Sequence, residues 1–229
     1  MNVKRDLDNF PSMAKKKFDM DYSKQVVPVS GGIVSTVLLY NLVATDYNVL
    51  PLAFDWGEMA LRQNIECVKR TCKKLNLDLK VAEFNNLGKL LEEGMNDPLV
   101  MSNRDLIYLG VSLSYALSKK AATLHYPIYM VKPEHADAIG NYAMFLRNIV
   151  EGSDRAGGMG GGRVQLAFNF WQNQEFEVIE LGDILNVPFN DTWSCGLNGK
   201  IHCGKCLGCL NRKESFKKTS VKDPTEYEV

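Results

Sequence analysis

From Gln25 onward the apolar positions switch repeatedly between two periods. Short runs rich in β-branched and aromatic residues at 25–29, 49–54, 79–84, 124–131 and 164–170 read as strands. Stretches with helical spacing lie between and after them: 35–46, a segment ending near 75, 86–93, 105–120, 135–150 and 175–185. In the segment ending near 75, Ile65, Val68, Cys72 and Leu75 share one face, and Lys69, Arg70, Lys73 and Lys74 take the other. Strands separated by helices of this length predict βαβ units and an α/β fold with a doubly wound, mainly parallel sheet. Such a sheet gathers ligands at the carboxyl ends of its strands. Residues 30–32, 55–58 and 103–104 are therefore expected to converge on one crevice.

Segments that break the pattern set the expected boundaries: an N-terminal extension at 1–24, the α/β domain at 25–190, a cysteine-bearing segment at 191–218 and a tail at 219–229. The extension mixes Lys4, Arg5, Lys15, Lys16 and Lys17 with Asp6, Asp8, Asp19 and Asp21. It reads as a solvated arm or as a docking segment for a protein partner or a second copy of the chain. Residues 157–162 hold five glycines in six positions, a density at which regular structure does not survive. They neither follow a clear strand nor open a helix, so they read as a loop or hinge and not as a dinucleotide fingerprint.

Composition narrows the class. With 229 residues and 45% apolar content the chain can bury a substantial core. Basic and acidic residues balance at 27 each, which gives no electrostatic case for a nucleic-acid or membrane surface. No apolar run reaches the length of a membrane span, and the polar N-terminus lacks the apolar core of a secretory signal. A cytoplasmic, reducing location is the expectation, in which the six cysteines serve as thiols or metal ligands.

Two motifs carry chemistry. Strand 25–29 ends in Ser30-Gly31-Gly32, and a helical pattern follows at once. Strand, glycine turn and helix N-terminus together present backbone N–H groups to an anion, with Ser35 and Thr36 adding hydroxyls. An ordinary tight turn has the same appearance. The second motif is Cys195, Cys203, Cys206 and Cys209, spaced C-x7-C-x2-C-x2-C. Four thiolates converging on a turn relaxed by Gly204 and Gly208 satisfy a structural, tetrahedral zinc ion. An iron–sulfur cluster, a redox dithiol and packed free thiols are the competing readings. His202 beside this set reads as a bystander, and Cys67 and Cys72 as core thiols.

In order along the chain stand Ser30-Gly31-Gly32-x-x-Ser35-Thr36, Phe54-Asp55-Trp56-Gly57, Asn103-Arg104-Asp105-Leu106, Leu181-Gly182 with Val187-Pro188, Thr192-Trp193-Ser194-Cys195, and Cys203-Gly204-x-Cys206-x-x-Cys209. Together they resemble the 7-cyano-7-deazaguanine synthase family, the QueC-like branch of the PP-loop ATP pyrophosphatases, from about Gln25 to Phe216. The resemblance implies an ATP-dependent C–N ligase. ATP activates the carboxylate of 7-carboxy-7-deazaguanine, ammonia gives the amide, and a second activation dehydrates it to the nitrile. It also implies that Ser30, Gly31, Gly32, Ser35 and Thr36 hold the ATP phosphates with Mg²⁺, and that zinc organises the C-terminal segment near the substrate.

The departures fall on the reactive positions. Val34 stands where the family loop has Asp, Glu58 and Ala60 where it has Gln and His, and Glu175 where a lysine is expected. The family's substrate segment is not recognisable in 126–141. One reading is therefore a QueC-like protein with degenerate catalysis that acts as a binding or structural component. The alternative is an active synthase or related ligase, with Asp55, Glu58 or Asp183 supplying the missing carboxylate to Mg²⁺. A third keeps nucleotide or nucleobase binding through Ser30, Gly31, Gly32 and Arg104 without turnover. Asp55 and Arg104 are the candidate catalytic residues. Asp55 alternatively makes a turn, and Arg104 alternatively pairs with Asp105 at a helix start.

Overall fold

A computed structural model describes residues 20–55, 62–84, 98–130, 132–156, 164–197 and 199–228, apart from the side chains of 98–104, 135 and 153–156. The expected N-terminal arm up to residue 19, the helix at 86–93, the positions Trp56, Glu58 and Ala60, and the glycine run at 157–162 lie outside these residues.

The expected parallel sheet is present. Strands β1 (Asp21–Pro28), β2 (Asn48–Asp55), β3 (Lys80–Glu83), β4 (Ala121–His125) and β6 (Gln165–Ala167) form one five-stranded sheet in the order β3-β2-β1-β4-β6, every pair parallel. β1 lies at its centre, where Val26 and Val27 are fully buried. β3 is an edge strand and carries mostly exposed positions, as an unpaired edge requires.

Helices cover both faces. On one side α1 (Ile33–Val43), α2 (Arg62–Lys74) and α5 (Glu175–Ile184) close a core around Val27, Val37, Leu38, Val68 and Ile179. On the other, α3 (Pro98–Ser118) and α4 (Ala136–Ala156) pack Leu109, Leu113, Leu146 and Val150 against Val26 and Leu124. α1 is apolar all round because it is enclosed all round, with Ile33 to Leu39 buried without a break. It lies against α5 at Gly182, where an added Cβ would stand 2.8 Å from Val37 Cγ2 and 2.6 Å from Phe189 Cζ.

The run expected as one strand at 124–131 is two. β4 ends at His125, the chain turns with the Ile128 N–H donating to the Tyr126 carbonyl at 2.9 Å, and β5 (Tyr129–Met130) leaves the main sheet. Pro127 at this turn offers no N–H to continue a ladder. The run at 164–170 divides similarly: β6 stays in the main sheet, and β7 (Phe170–Gln174) pairs in parallel with β5. The third helix begins at Pro98, earlier than the expected 105, and the fourth continues to Ala156. After α5 the chain makes a short 3-10 turn at Phe189–Asp191, then the cysteine segment, and ends in α6 (Leu207–Lys217) and a tail folded back over it.

In this strand order the chain runs outward from β1 through β2 to β3, then crosses to β4 on the far side. The gap above the carboxyl ends of β1 and β4 is where helices from the two faces diverge, and ligands bind in such gaps.

Candidate functional site

The loop after β1 is held by its own side chains and by two distant segments. Gly31 takes φ +79, a left-handed conformation, and a Cβ there would lie 2.4 Å from the Asn64 carbonyl oxygen. Its carbonyl accepts the Trp193 N–H at 2.9 Å. The Asn64 amide donates to the Ser30 carbonyl at 2.9 Å and to the Trp193 carbonyl at 3.5 Å. Ser35 Oγ receives the Ser30 N–H at 3.3 Å, lies 3.2 Å from Ser30 Oγ, and donates to the Gly32 carbonyl. The hydroxyl of Ser35 is thus engaged within the loop, and Thr36 is buried in the first turn of α1.

Two adjoining cavities open on this loop. The first, about 390 Å³, lies over the carboxyl ends of β1, β2 and β4 and is lined by Val29, Phe54, Tyr108, Tyr126, Tyr129 and Tyr142 among others. Phe54 and Tyr108 sit with ring centroids 4.6 Å apart. Among the described residues Asp105 is its charged lining residue, and accepts the Tyr142 hydroxyl on Oδ2 at 3.0 Å while its backbone carbonyl accepts that of Tyr126 at 3.1 Å. Burial first, and Asp105 next, push both phenols well above their ordinary value, so they stay neutral donors. The second cavity, about 230 Å³, is lined by Ser30, Gly32, Val34, Ser35, Glu175 and Asn211 among others. It shares Ser30, Pro127 and Tyr129 with the first.

Ser30 and Gly32 therefore face the crevice, and Gly31 and Thr36 build its wall from behind. Val34 lines the second cavity, with its isopropyl group where the resemblance expects a carboxylate. Glu175 faces the same space. Burial raises its carboxyl above the usual 4.5, against the Ser215 hydroxyl, which donates to it at 2.9 Å, and the more remote Arg212. Asp55 ends β2 one residue beyond the crevice-lining Phe54. Arg104 lies on α3, one residue before Asp105, and its side chain is outside the described set. Asp183 is exposed on α5 and lines neither cavity. Asn64, Tyr108, Tyr142 and Asn211 have no local signature: they reach the crevice from four different helices. Tyr126-Pro127-Ile128-Tyr129 did carry a signal, aromatic residues at a proline exit from a central strand.

Behind the loop, the sulfurs of Cys195, Cys203, Cys206 and Cys209 all lie within 4.8 Å of one another. Two of the separations are 3.9 Å, Cys203 to Cys209 and Cys195 to Cys206. Tetrahedral bonds of about 2.3 Å to one ion set sulfur–sulfur edges near ~3.8 Å, so the cluster fits a single metal ion. Backbone N–H groups of Gly196, Leu197 and Cys206 point at these sulfurs at 3.3 to 3.4 Å. Burial opposes ionisation of Cys206, but the Gly196 N–H and the neighbouring cysteines prevail and draw it down to about 6. Cys195 directly continues Thr192-Trp193-Ser194, so the same strip of chain joins the cysteine cluster to the loop.

His202 is not among the four. Its Nε2 accepts the Ser194 N–H at 3.1 Å and its ring lies 4.1 Å from Trp193. Arg212, fully buried, gathers the strip: it donates to Thr192 Oγ1 at 2.7 Å, Ser194 Oγ at 3.3 Å and the Phe189 carbonyl at 2.9 Å, and pairs with Asp223 of the tail at 3.2 Å.

Comparison with known proteins agrees with this geometry. The 7-cyano-7-deazaguanine synthase of Caldicellulosiruptor bescii is 28% identical over 223 residues, covering 90% of this chain and 98% of its own. That of Methanoregula boonei is 26% identical over 226 residues, covering 90% and 99%. Among solved structures, NMN synthetase from Francisella tularensis matches with a TM-score of 0.54 at 16% identity, over 88% of this chain and 79% of that one. The U34-tRNA thiolase NcsA from Methanococcus maripaludis, solved with its [4Fe-4S] cluster, matches with a TM-score of 0.52 at 18% identity, over 87% and 66%. These structures share the PP-loop fold. The model of the queuosine biosynthesis protein QueC matches residues 24–220, nearly all of the strands, loop and cysteine cluster described above, and the chain belongs to that family.

Proposed function

We propose that this chain is a QueC-family protein that binds a ligand in the crevice without carrying out ATP cleavage. One observation carries the reading. The cavity beside the Ser30–Gly32 loop, where the family's phosphates would sit, is faced by the Val34 side chain and by the Glu175 carboxylate, and no lysine or arginine stands among its described lining residues. Pyrophosphate departure needs a cation and donors where charge develops. A valine cannot hold Mg²⁺, and a carboxylate at 175 repels the phosphates a lysine would attract. ATP and Mg²⁺ are thus cofactors only of an active relative.

The cysteine cluster supports a structural zinc ion. Its 3.9 Å sulfur separations suit one ion, whereas a cubane interposes several iron and sulfide atoms between its ligands and spreads them further apart. Four thiolates would complete the coordination and leave no open position, so the ion's role is to fix the segment that carries Trp193.

The test is pyrophosphate release from ATP and Mg²⁺ with 7-carboxy-7-deazaguanine and ammonia. Wild type is expected to be silent, and the double variant Val34→Asp, Glu175→Lys to recover measurable release. Release and nitrile formation by wild type would instead establish an active synthase. That alternative draws on the intact loop backbone, with Gly31 at φ +79 and the Trp193 and Asn64 clamps in place.

A further inference from the structure

The side chains of the altered cavity have an electrostatic preference, and it is the reverse of phosphate binding, although the loop keeps its backbone at the N-terminus of α1. Among the described residues the cavity's lining side chains include one charged group, the Glu175 carboxylate, and otherwise neutral polar ones: the Ser30, Ser35 and Ser194 hydroxyls, the Asn211 amide, Tyr129 and Trp193. Glu175 opens α5, and at the surface a helix N-terminus alone would account for an acid there. Here the residue is half-buried and lines two cavities, this one and an adjoining one of about 330 Å³. The described cations along that adjoining cavity have other partners, Lys132 with Glu134 at 3.8 Å and Lys218 with Glu214 at 3.1 Å. Arg212 is committed to Asp223, Thr192, Ser194 and Phe189. Glu175 receives the Ser215 hydroxyl and makes no ion pair with the described residues. A carboxylate held partly out of water, with only the remote Arg212 as counter-charge, gains from a bound cation.

The neighbouring 390 Å³ cleft, which shares Ser30, Pro127 and Tyr129 with this cavity, offers the rings of Phe54, Tyr108 and Tyr126 and the Asp105 carboxylate. Apolar rings with one acidic acceptor suit a flat heterocycle that carries N–H donors. Building on the binding role proposed above, we infer that the crevice takes a planar heterocycle bearing a protonated amine, with the ring in the aromatic cleft and the ammonium beside the loop against Glu175. An ammonium has three N–H bonds to place, and Glu175, Ser30 and the Asn211 side-chain carbonyl supply acceptors around one space.

The experiment is calorimetric titration of the full chain at pH 7 with three 7-deazaguanines that differ only in the 7-substituent: aminomethyl, cyano and carboxyl. Wild type is expected to bind the aminomethyl compound at least about tenfold more tightly than the carboxyl compound, as a partly desolvated ion pair allows. Glu175→Gln should remove that preference, and Glu180→Gln, an equal charge change at an exposed position of the same helix, should leave it. Acetylating the amine of the probe tests the same contact from the ligand side, whether or not the Glu175 variant folds, and should cost a similar factor with wild type. Equal or tighter binding of the carboxyl compound, indifference to acetylation, or no binding of any of the three would overturn the inference. Pyrophosphate release by the same wild-type sample would overturn the proposed loss of catalysis, while the binding order is read without it.

Discussion

At the scale of single residues, the two glycines of the loop have different duties. Gly31 has a left-handed φ, and an added Cβ would stand 2.4 Å from the Asn64 carbonyl oxygen, so any side chain meets both backbone strain and a fixed neighbour. Gly32 has φ −79, and an added Cβ would meet Ser30 Oγ at 3.6 Å and the Trp193 carbonyl oxygen at 3.8 Å, which is ordinary contact. Gly31→Ala is expected to destabilise the fold by about 3 kcal/mol, and Gly32→Ala to stay within about 0.5 kcal/mol, compared by urea unfolding. Glu175 makes a second residue-level case, through pH. Its carboxyl is raised in the folded protein, first by burial, so the native state holds a proton that the unfolded chain has already released. Stability contributed by this group therefore falls as pH rises through a window that begins at the ordinary 4.5 and extends above it. Glu175→Gln should flatten that part of the stability–pH curve and raise stability at pH 7, even as it abolishes the amine preference.

At the scale of elements, the C-terminal segment is organised by a buried cation. Arg212 of α6 is fully enclosed, and its charge is met by Asp223 from the tail, which also accepts the Tyr227 hydroxyl. Removing one partner of a buried pair leaves the other charged and dry. Asp223→Ala is expected to cost about 3 kcal/mol, measured by thermal or urea unfolding, and to release the tail from His202, where the Glu228 N–H donates to the His202 carbonyl at 2.9 Å. How far such arrangements are legible in the sequence depends on the range of the contact. α1 was legible because an apolar-rich helical pattern follows Ser30-Gly31-Gly32 at once, and the cysteines because ligands two residues apart announce their turn locally. The split of 124–131 into β4 and β5 was not, since residues on both sides of Pro127 are β-formers and the partner β7 is forty residues away. The crevice walls were equally hidden: Asn64, Tyr142 and Asn211 sit in helical patterns that any core or surface would give. Likewise Glu175 read only as a missing lysine, whereas its cavity assigns it a charge preference of its own.

At the scale of the whole molecule, the cysteine cluster and the ligand crevice are joined by one strip of backbone. Trp193 donates its N–H to Gly31, its carbonyl receives Asn64, and two residues later Cys195 enters the cluster. Gly208 of α6 fits only because it has no Cβ, which would stand 1.9 Å from the Ser194 carbonyl oxygen. The position of the loop after β1 thus depends on where the four sulfurs are held, although none of them lines either cavity. A metal ion that fixes the sulfurs would fix Trp193, and through it the backbone of Ser30 and Gly31. Stripping the metal with a chelator is expected to speed hydrogen exchange first at the Trp193 amide and the backbone of 194–209. Exchange in the strands β1 and β4, buried on both faces, should hold. Heterocycle binding should weaken in the same sample, although the ligand touches no cysteine. Uniform loss of protection across the sheet would show that the ion supports the whole core. Unchanged exchange at Trp193 would separate the cluster from the crevice and confine its role to the C-terminal segment.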